Sequence, residues 1–204
     1  SSRERTSAVD FRRIDPRSLS MNPFSLIAEE WMLVTAGAPG DWNTMTASWG
    51  GFGHLWNRDV AFVFVRPTRH TYGFMERESR FSLSFFGPGM RQALALCGSL
   101  SGRDVDKAQA AGISPRVFDA AASPGEPAGR GGSPAPAGHG GPGGADSANV
   151  IAFEEARLVL ALRKLHAQDL DPACFVDPSI NDHYAALDWH RLYVGAVEAA
   201  WSRD

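Results

Sequence analysis

The sequence has little cysteine, and what it has is poorly placed for metal or thiol chemistry. Its two cysteines, Cys97 and Cys174, lie far apart and match no metal-binding spacing. There is no Cys-x-x-Cys pair for dithiol chemistry, and two thiolates are too few for an iron–sulfur cluster. Redox chemistry in this chain would therefore need an organic cofactor. We expect both cysteines to be buried or half-buried thiols.

The chain also lacks an excess of basic charge and any long apolar run. Its formal net charge is −3 and its isoelectric point is about 6.1, which gives no electrostatic footprint for nucleic acid or an anionic membrane. No apolar run approaches the ~18 residues that span a bilayer. Residues 1–18 are polar, lack a hydrophobic signal core and begin with Ser. We therefore expect a trimmed start and a soluble, cytoplasmic protein.

Familiar catalytic and nucleotide-binding motifs are missing. Residues 51–56, GFGHLW, end in Trp where a dinucleotide fingerprint needs a small residue. Residues 98–102, GSLSG, have Leu at the centre and so form no nucleophile elbow. His183, Asp188 and His190 fit no established ligand spacing, so we predict no metal site. No catalytic side chain is assigned.

Residues 123–147 form a tract rich in glycine and proline. Nine glycines and five prolines among these 25 residues cannot build a core or a regular element. A boundary between two domains is the alternative, but the remaining 57 or so residues are marginal as an independent fold. Because loop length costs little closure entropy, we predict a flexible surface loop inserted in one domain that spans residues 1–204.

Before this tract the pattern is mostly that of strands. Short runs rich in β-branched and aromatic residues, bounded by Gly, Pro and Asn, predict strands at Trp31–Ala36, Thr44–Trp49, Val60–Val65 and Phe81–Phe86. Short helices are predicted at residues 71–77, at residues 91–96, and from Ser101 to Gly112 with Asp104 in the first turn. The absence of a βαβ rhythm disfavours a doubly wound fold.

The stretch from Asn43 to Tyr72 is the most informative part of the chain. It surrounds the apolar strand Val60–Val65 with hydroxyls, tryptophans and the cations Arg66 and Arg69. Hydroxyls and arginines suit a phosphate, and Trp49 offers flat surface with little entropy to lose. This mixture indicates a ligand with an apolar ring at one end and an anion at the other. The alternative is a β-hairpin with a polar and aromatic edge.

An ordered series of segments runs along most of the chain. The series is residues 14–37 (IDPRSLSMNPFSLIAEEWMLVTAG), 43–51 (NTMTASWGG), 60–72 (VAFVFVRPTRHTY), 81–86 (FSLSFF), 97–107 (CGSLSGRDVDK), 153–160 (FEEARLVL) and 188–195 (DWHRLYVG). It resembles the flavin reductase-like family, in particular the flavoredoxin-type FMN-binding split barrels. The resemblance implies a mainly β fold, a β-barrel with a few short helices. It also implies strand after residue 153, where propensity favours helix but Leu158, Leu160 and Leu162 alternate.

The resemblance implies where FMN would bind. Its phosphate would lie against the turn that carries Arg66, Thr68, Arg69, His70 and Thr71. It would also contact a second loop, which carries Ser99, Ser101 and Gly102, together with Lys107. That loop leads into a predicted helix, whose N-terminus attracts anions. Taken singly, Ser101 is equally explained as a helix cap and Lys107 as a solvated lysine.

The ring and ribityl chain would lie against the segment from Asn43 to Trp49. The implied contacts are Asn43, Thr46, Ala47, Ser48 and Trp49, with His190 near the cofactor. Trp49 as a core tryptophan and His190 as a structural histidine are the alternatives. Where the family usually has Gly-Glu, this chain has Gly195 and Ala196, so any role of that acidic side chain is lost or moved.

The function implied is hydride transfer from NADH or NADPH to flavin, with onward transfer to free flavin, a partner oxygenase or another acceptor. Because the cofactor carries the redox chemistry, no activated nucleophile is required. The resemblance also implies a homodimer with its sites near the subunit boundary. Two alternatives remain: an electron-carrier flavoprotein that uses no nicotinamide, and a split barrel that has lost its cofactor and binds some other ligand or partner.

Overall fold

The computed structural model describes residues 10–121 and 147–203. The predicted flexible loop, residues 123–147, lies outside this part of the chain apart from Ser147. The strands are β1 (Arg12–Ile14), β2 (Met32–Ala38), β3 (Asp41–Ala47), β4 (Gly50–Leu55), β5 (Arg58–Val65), β6 (Arg80–Phe85), β7 (Pro115–Asp119), β8 (Asn149–Phe153), β9 (Leu158–Asp169) and β10 (Arg191–Ser202).

The helices are short. They are α1 (Pro23–Ser25), continued by a π-helical turn at Leu26–Glu30, and α2 (His70–Arg77), α3 (Arg91–Ser99) and α4 (Lys107–Ala111). Single 3-10 turns occupy Pro16–Ser18, Pro88–Met90 and Pro172–Cys174, and a longer one runs over Pro178–His183. The mainly β fold with a few short helices is thus confirmed.

One antiparallel sheet curves round on itself. Its strand order is β3-β2-β6-β9-β10-β5-β4, with β1 paired to β10. The first and last strands in this order, β3 and β4, are consecutive in sequence and are joined by Ser48 and Trp49 alone. Because two residues span only about 7 Å, the two edges of the sheet meet there. The result is a barrel with a seam between β3 and β4.

Both faces of the sheet are buried in its central strands. Neighbouring residues of β2 point to opposite faces: Val34 packs in the inner cluster with Val63 and Leu160, and Leu33 packs in an outer cluster. The outer cluster lies under the hairpin β7–β8, which contributes Phe118 and Phe153. Leu158–Leu162 is therefore a strand, as predicted, but buried on both faces rather than one.

Most predicted elements are present with shifted ends. The strands predicted before the tract correspond to β2, β3, β5 and β6, and the helices predicted at residues 71–77 and 91–96 correspond to α2 and α3. The predicted helix from Ser101 to Gly112 is wrong at its start. Asp106, not Ser101, caps α4 by accepting from the Gln109 amide, and Gly112 ends the helix in the left-handed region at φ 66°.

Candidate functional site

The turn after β5 leads into α2. Pro67 cannot extend the strand, and the Arg69 amide closes a turn onto the Arg66 carbonyl at 3.0 Å. Helix α2 begins at His70 with Arg69 in the capping position, and no side chain caps it. The amides of His70 and Thr71, at the start of this eight-residue helix, therefore lack a capping side chain and can bind a ligand, whereas the Tyr72 amide donates to the Arg69 carbonyl at 3.0 Å.

A second wall faces this helix start. Helix α3 ends at Ser99, and the chain then turns, with the Asp104 amide donating to the Ser101 carbonyl at 3.1 Å. Arg69 Nη1 reaches across to the Gly98 carbonyl at 2.8 Å. The two walls enclose a small cleft of about 90 Å³, here called the α2 cleft, lined by Met45, Thr68, Arg69, His70, Thr71, Ser99, Leu100, Ser101 and Lys107.

Lys107 forms the floor of the α2 cleft. Its Nζ donates to the carbonyls of Thr44 and Cys97, each at 2.8 Å, so it ties α4 to β3 and α3. The side chain is buried, and burial lowers its pKa to about 8. Lys107 is therefore a fixed internal cation, not the solvated helix lysine of the alternative interpretation.

Asn43 and Gly102 bring the two walls into close contact. Asn43 Nδ2 donates to Thr71 Oγ1 at 2.8 Å, which joins β3 to α2. A Cβ atom at Gly102 would lie 2.0 Å from Asn43 Oδ1, so any larger residue would displace either the Asn43 side chain or the turn. Ser101 caps a tight turn rather than a helix, since its Oγ accepts from the Arg103 amide at 3.2 Å.

The potential in the α2 cleft is positive. Arg69 and Lys107 both line it, and no carboxylate lies among its lining residues. Burial lowers the pKa of His70, and the positive charges of Arg103 and Lys107 lower it further. His70 is thus held neutral beside cations, an arrangement suited to an anionic guest.

The end of β3 leads to a second group of predicted residues. Thr46 Oγ1 donates to the Leu94 carbonyl, and Ala47 is buried in the inner core. Ser48 is half-buried, and Trp49 is 43% exposed, so it is not a core tryptophan. The Trp49 ring lies 5.3 Å from His183 and 5.1 Å from His190.

His190 is the buried centre of this aromatic group. It is 8% exposed, and its Nδ1 lies 2.8 Å from the Tyr184 hydroxyl. Burial and the nearby Arg66 guanidinium lower its pKa to about 4, so the imidazole is neutral at pH 7. We call this group the Trp49 cluster: Trp49, Phe64, His183, Tyr184 and His190.

The structure places Arg66 apart from the α2 cleft. Its Nη1 is paired with Asp188 at 2.7 Å, and its Nη2 donates to the His183 carbonyl at 2.8 Å. The guanidinium also lies over the Tyr184 ring, 5.0 Å from its centre. Arg66 therefore holds the Trp49 cluster together. The Pro67 turn explains why two arginines three residues apart face different parts of the site.

Sequence reasoning missed Tyr184, Asp188 and Arg103 as neighbours of the site. Arg103 and Asp188 belong to segments 97–107 and 188–195, which carry the resemblance and so give a signal for their positions, whereas no such segment contains Tyr184. The two cysteines differ. Cys97 is buried, which raises its pKa to about 11, and Cys174 is exposed, contrary to the expectation of burial.

Clusters of metal ligands and membrane-spanning helices are both absent from the part of the chain that the structure describes. Within residues 10–121 and 147–203, no group of three or more His, Cys, Asp or Glu side chains is arranged to hold a metal ion. Over the same residues, no helix has the length and apolar character needed to cross a membrane.

Comparison with known proteins identifies the family. Residues 24–204 match the sequence model of the flavin reductase like domain. Comparison with proteins of curated function gives no match. The fold is similar to flavoredoxin from Methanosarcina acetivorans, with 20% identity, a TM-score of 0.55 and coverage of 85% of this chain and 68% of that one.

Two other solved structures have a similar fold. An FMN-binding domain of a flavin reductases-like enzyme from Shewanella baltica is 17% identical, with a TM-score of 0.58 and coverage of 96% and 78%. An NADH:FAD oxidoreductase from Streptomyces globisporus, in complex with NAD and FAD fragments, is 13% identical, with a TM-score of 0.52 and coverage of 84% and 73%. These likenesses establish the split-barrel fold, and the match over residues 24–204 establishes that the chain belongs to the flavin reductase-like family of flavin-related oxidoreductases.

Proposed function

We propose that the protein binds FMN and transfers hydride from NADH or NADPH to the flavin, which then passes electrons to free flavin, a partner oxygenase or another acceptor. The α2 cleft is the observation that carries this proposal. It combines an uncapped helix start, hydroxyls and two cations in a space closed by Asn43 and Gly102.

The residues of the α2 cleft suit a phosphate. Helix amides without a capping side chain and short hydroxyls such as Thr68 donate hydrogen bonds to phosphate. Among residues 10–121 and 147–203, the hydrogen bond that Arg69 makes goes to a neutral group, the Gly98 carbonyl. Lys107 is held by two carbonyls, which fixes its charge at the floor of the cleft. A phosphate there would lie beside a fixed positive charge and would accept hydrogen bonds from backbone amides and hydroxyls.

The remaining predicted contacts follow in order along β3. Met45 lines the α2 cleft, and Thr46, Ala47, Ser48 and Trp49 continue from it to the Trp49 cluster. A ribityl chain and ring could follow the same path from the phosphate. When bound, flavin supplies the two-electron chemistry. His190, neutral at pH 7, offers hydrogen bonding without adding charge beside the ring.

An absorption spectrum followed by anaerobic mixing tests this proposal. We expect a flavin band in the purified protein or after FMN is added, and its bleaching by NADH or NADPH at a catalytic rate. Bleaching by neither would contradict the reductase and leave an electron carrier. A colourless protein that ignores added FMN would overturn flavin binding altogether.

We further propose a homodimer with the sites near the subunit boundary. The large apolar side chains Val176 and Leu187 are 98% and 68% exposed, and they flank the segment that carries His183 and Tyr184. Exposed apolar groups next to a functional cluster suit an interface. Sedimentation equilibrium should give twice the chain mass, and a monomer at micromolar concentration would contradict the proposal.

A cytoplasmic location stays a prediction.

A further inference from the structure

A recess in the barrel lies beneath an N-terminal segment of the described chain. Residues 15–26, here called the strap, and the strands β4, β5, β9 and β10 line a pocket of about 220 Å³. We call it the strap pocket. Because its walls come from five separate segments, it is an enclosed recess and not an open apolar face of the sheet.

The strap pocket is separate from the proposed flavin site. Among the described residues, those that line it belong neither to the α2 cleft nor to the Trp49 cluster. Val60, which lines the strap pocket, and Val65, the last residue of β5 before Arg66, are five residues apart, which is about 17 Å in an extended strand. A molecule in the strap pocket would therefore not compete directly with a phosphate in the α2 cleft.

The walls of the strap pocket are apolar. Its lining includes three buried leucines of the inner cluster and three side chains that pack against this cluster, namely Leu26, Leu158 and Leu160, and Leu19, Phe52 and Val197. The barrel interior is thus not filled here, although protein interiors leave few voids larger than a water molecule. An apolar cavity of about 150 Å³ stays dry and binds benzene, so the strap pocket is large enough for a small apolar molecule.

The two charged side chains of the strap pocket neutralise each other. Arg17 donates to both carboxylate oxygens of Asp59, at 2.7 and 3.0 Å. The Arg17 side chain is 67% exposed, so the ion pair lies on the solvent side of the pocket and not among its apolar walls. In the part of the chain that the structure describes, the pocket lining therefore offers no unpaired charge to a charged ligand.

The strap can move away from the strands to admit a ligand. Its backbone hydrogen bonds at Ser18, Leu19 and Leu26 close turns within the strap. The Asn22 side chain likewise accepts from an amide of the strap, that of Phe24, at 3.0 Å. Because an exposed ion pair such as Arg17–Asp59 contributes little to stability, opening the strap breaks few strong contacts.

We propose that the strap pocket binds a small uncharged apolar molecule, of the size of one aromatic ring or a short alkyl chain. The Phe52 ring and the flexible thioether of Met21 contact this ligand, and the leucine side chains surround it. Its binding removes apolar surface from water and stabilises the folded chain. The site goes beyond the proposed flavin function and does not depend on it.

Calorimetric titration of the full chain with toluene tests the proposal. We expect one toluene per chain, a dissociation constant on the order of 0.1–1 mM for so small a ligand, and a rise in the melting temperature. Benzoate has the same ring but carries a charge that the apolar walls cannot pair, so it should bind at least about tenfold more weakly. Added FMN should change toluene affinity by less than about twofold, because the two sites share no residue.

Two variants fill the strap pocket from opposite sides. Val197→Phe adds atoms from β10, and Leu19→Trp adds them from the strap. Each should weaken toluene binding on the order of tenfold or more, and should keep or raise the melting temperature because a void is filled. Phe24→Trp is the matched control: Phe24 is on the same strap, is 82% exposed and does not line the pocket, so toluene affinity should not change.

Several results would overturn the proposal. Absence of toluene binding at millimolar concentration, or unchanged toluene affinity in both filled variants, would refute the site. Benzoate binding as tight as that of toluene would replace the apolar ligand by an anion at Arg17. Conversion of a dimer to a monomer by both filled variants, without toluene binding in the wild type, would assign the pocket to contact with a second copy of the chain.

The flavin proposal and the strap pocket can fail separately. A wild-type protein that binds toluene but no flavin would refute the proposed function and support the strap pocket. A protein that binds FMN but no toluene would do the reverse.

Discussion

Arg69 and Lys107 are both cations of the α2 cleft, but they differ in what else they hold. Arg69 is exposed and donates to a neutral group, the Gly98 carbonyl. Lys107 is buried and joins three elements through the carbonyls of Thr44 and Cys97. Loss of Arg69 should therefore affect a ligand alone, whereas loss of Lys107 should affect the ligand and the fold.

Arg69→Ala should weaken FMN binding by about 1–3 kcal/mol and change the free energy of unfolding by less than about 0.5 kcal/mol. Lys107→Met should weaken FMN binding similarly and also destabilise the fold by about 1–3 kcal/mol, because two buried carbonyls lose their donor. FMN titration and urea unfolding measure the two effects. Unchanged FMN affinity in both variants would refute both residues as phosphate ligands.

The low pKa of His190 predicts acid sensitivity. Between pH 6.5 and about 4, the unfolded chain binds a proton at this histidine that the folded chain does not. The free energy of unfolding should therefore fall as pH falls through this window, by on the order of 2–3 kcal/mol, and there should be no contribution above pH 6.5.

The variant His190→Phe should lose this part of the pH dependence when urea unfolding is compared at pH 7 and pH 4.5. Tyr184→Phe is the matched control, because it removes the 2.8 Å contact with His190 but keeps the burial that is the main cause of the shift. Equal pH dependence in the wild type and in His190→Phe would show that another group is responsible.

At the scale of elements, the turn between α3 and α4 depends on Gly102. Its α-carbon lies so close to Asn43 that a Cβ would meet Oδ1 at 2.0 Å. Gly102→Ala should push this turn away from β3, cost about 1–3 kcal/mol of stability and weaken FMN binding. Gly89→Ala, which adds a Cβ with nothing within 4 Å, is the control. Thermal unfolding and FMN titration that do not distinguish the two variants would contradict this role.

The sequence could predict elements whose local and tertiary preferences agree. The helix at α2 follows a Pro turn, and β5 is a continuous apolar run, so both were predicted. Strand β4 was missed because its sequence, GGFGHL, has weak strand propensity, and its pairing with β5 supplies what propensity lacks. The predicted start of α4 is too early because Ser101 resembles a helix cap, whereas its side chain closes a turn.

The candidate site was predictable as a set of segments and not as a set of contacts. The order of segments indicated that β3, the α2 turn and the α3–α4 turn form one site, and the structure brings Thr68, Arg69, Lys107 and their neighbours into one cleft. The separate position of Arg66 depends on Asp188, 122 residues away in the sequence, and no local pattern encodes that pairing.

At the scale of the whole molecule, the two ends of the Gly/Pro-rich tract are already close together. Asp119 of β7 pairs with Asn149 of β8, and the Ala120 amide donates to the Ala148 carbonyl at 3.0 Å. This hairpin covers the outer core through Phe118 and Phe153. The tract between the strands is therefore not needed to bring them together.

Replacing residues 122–146 with Asn-Gly should leave the fold and FMN affinity unchanged, because two residues suffice for a tight hairpin. Shorter loop closure should stabilise the protein by roughly 1–3 kcal/mol. Urea unfolding and FMN titration of the shortened chain measure both quantities. Loss of flavin binding in a chain that still folds would show that the tract takes part in function, and would contradict its proposed place as an inserted surface loop.

The barrel seam has a mechanical consequence. Ser48 and Trp49 connect the two edge strands and also belong to the proposed ring end. A flat ligand bound to these two residues would contact both edge strands, so its binding would stabilise the whole barrel. Backbone amides along β3 and β4 would then exchange with solvent more slowly when the ligand is present, even where they do not touch it.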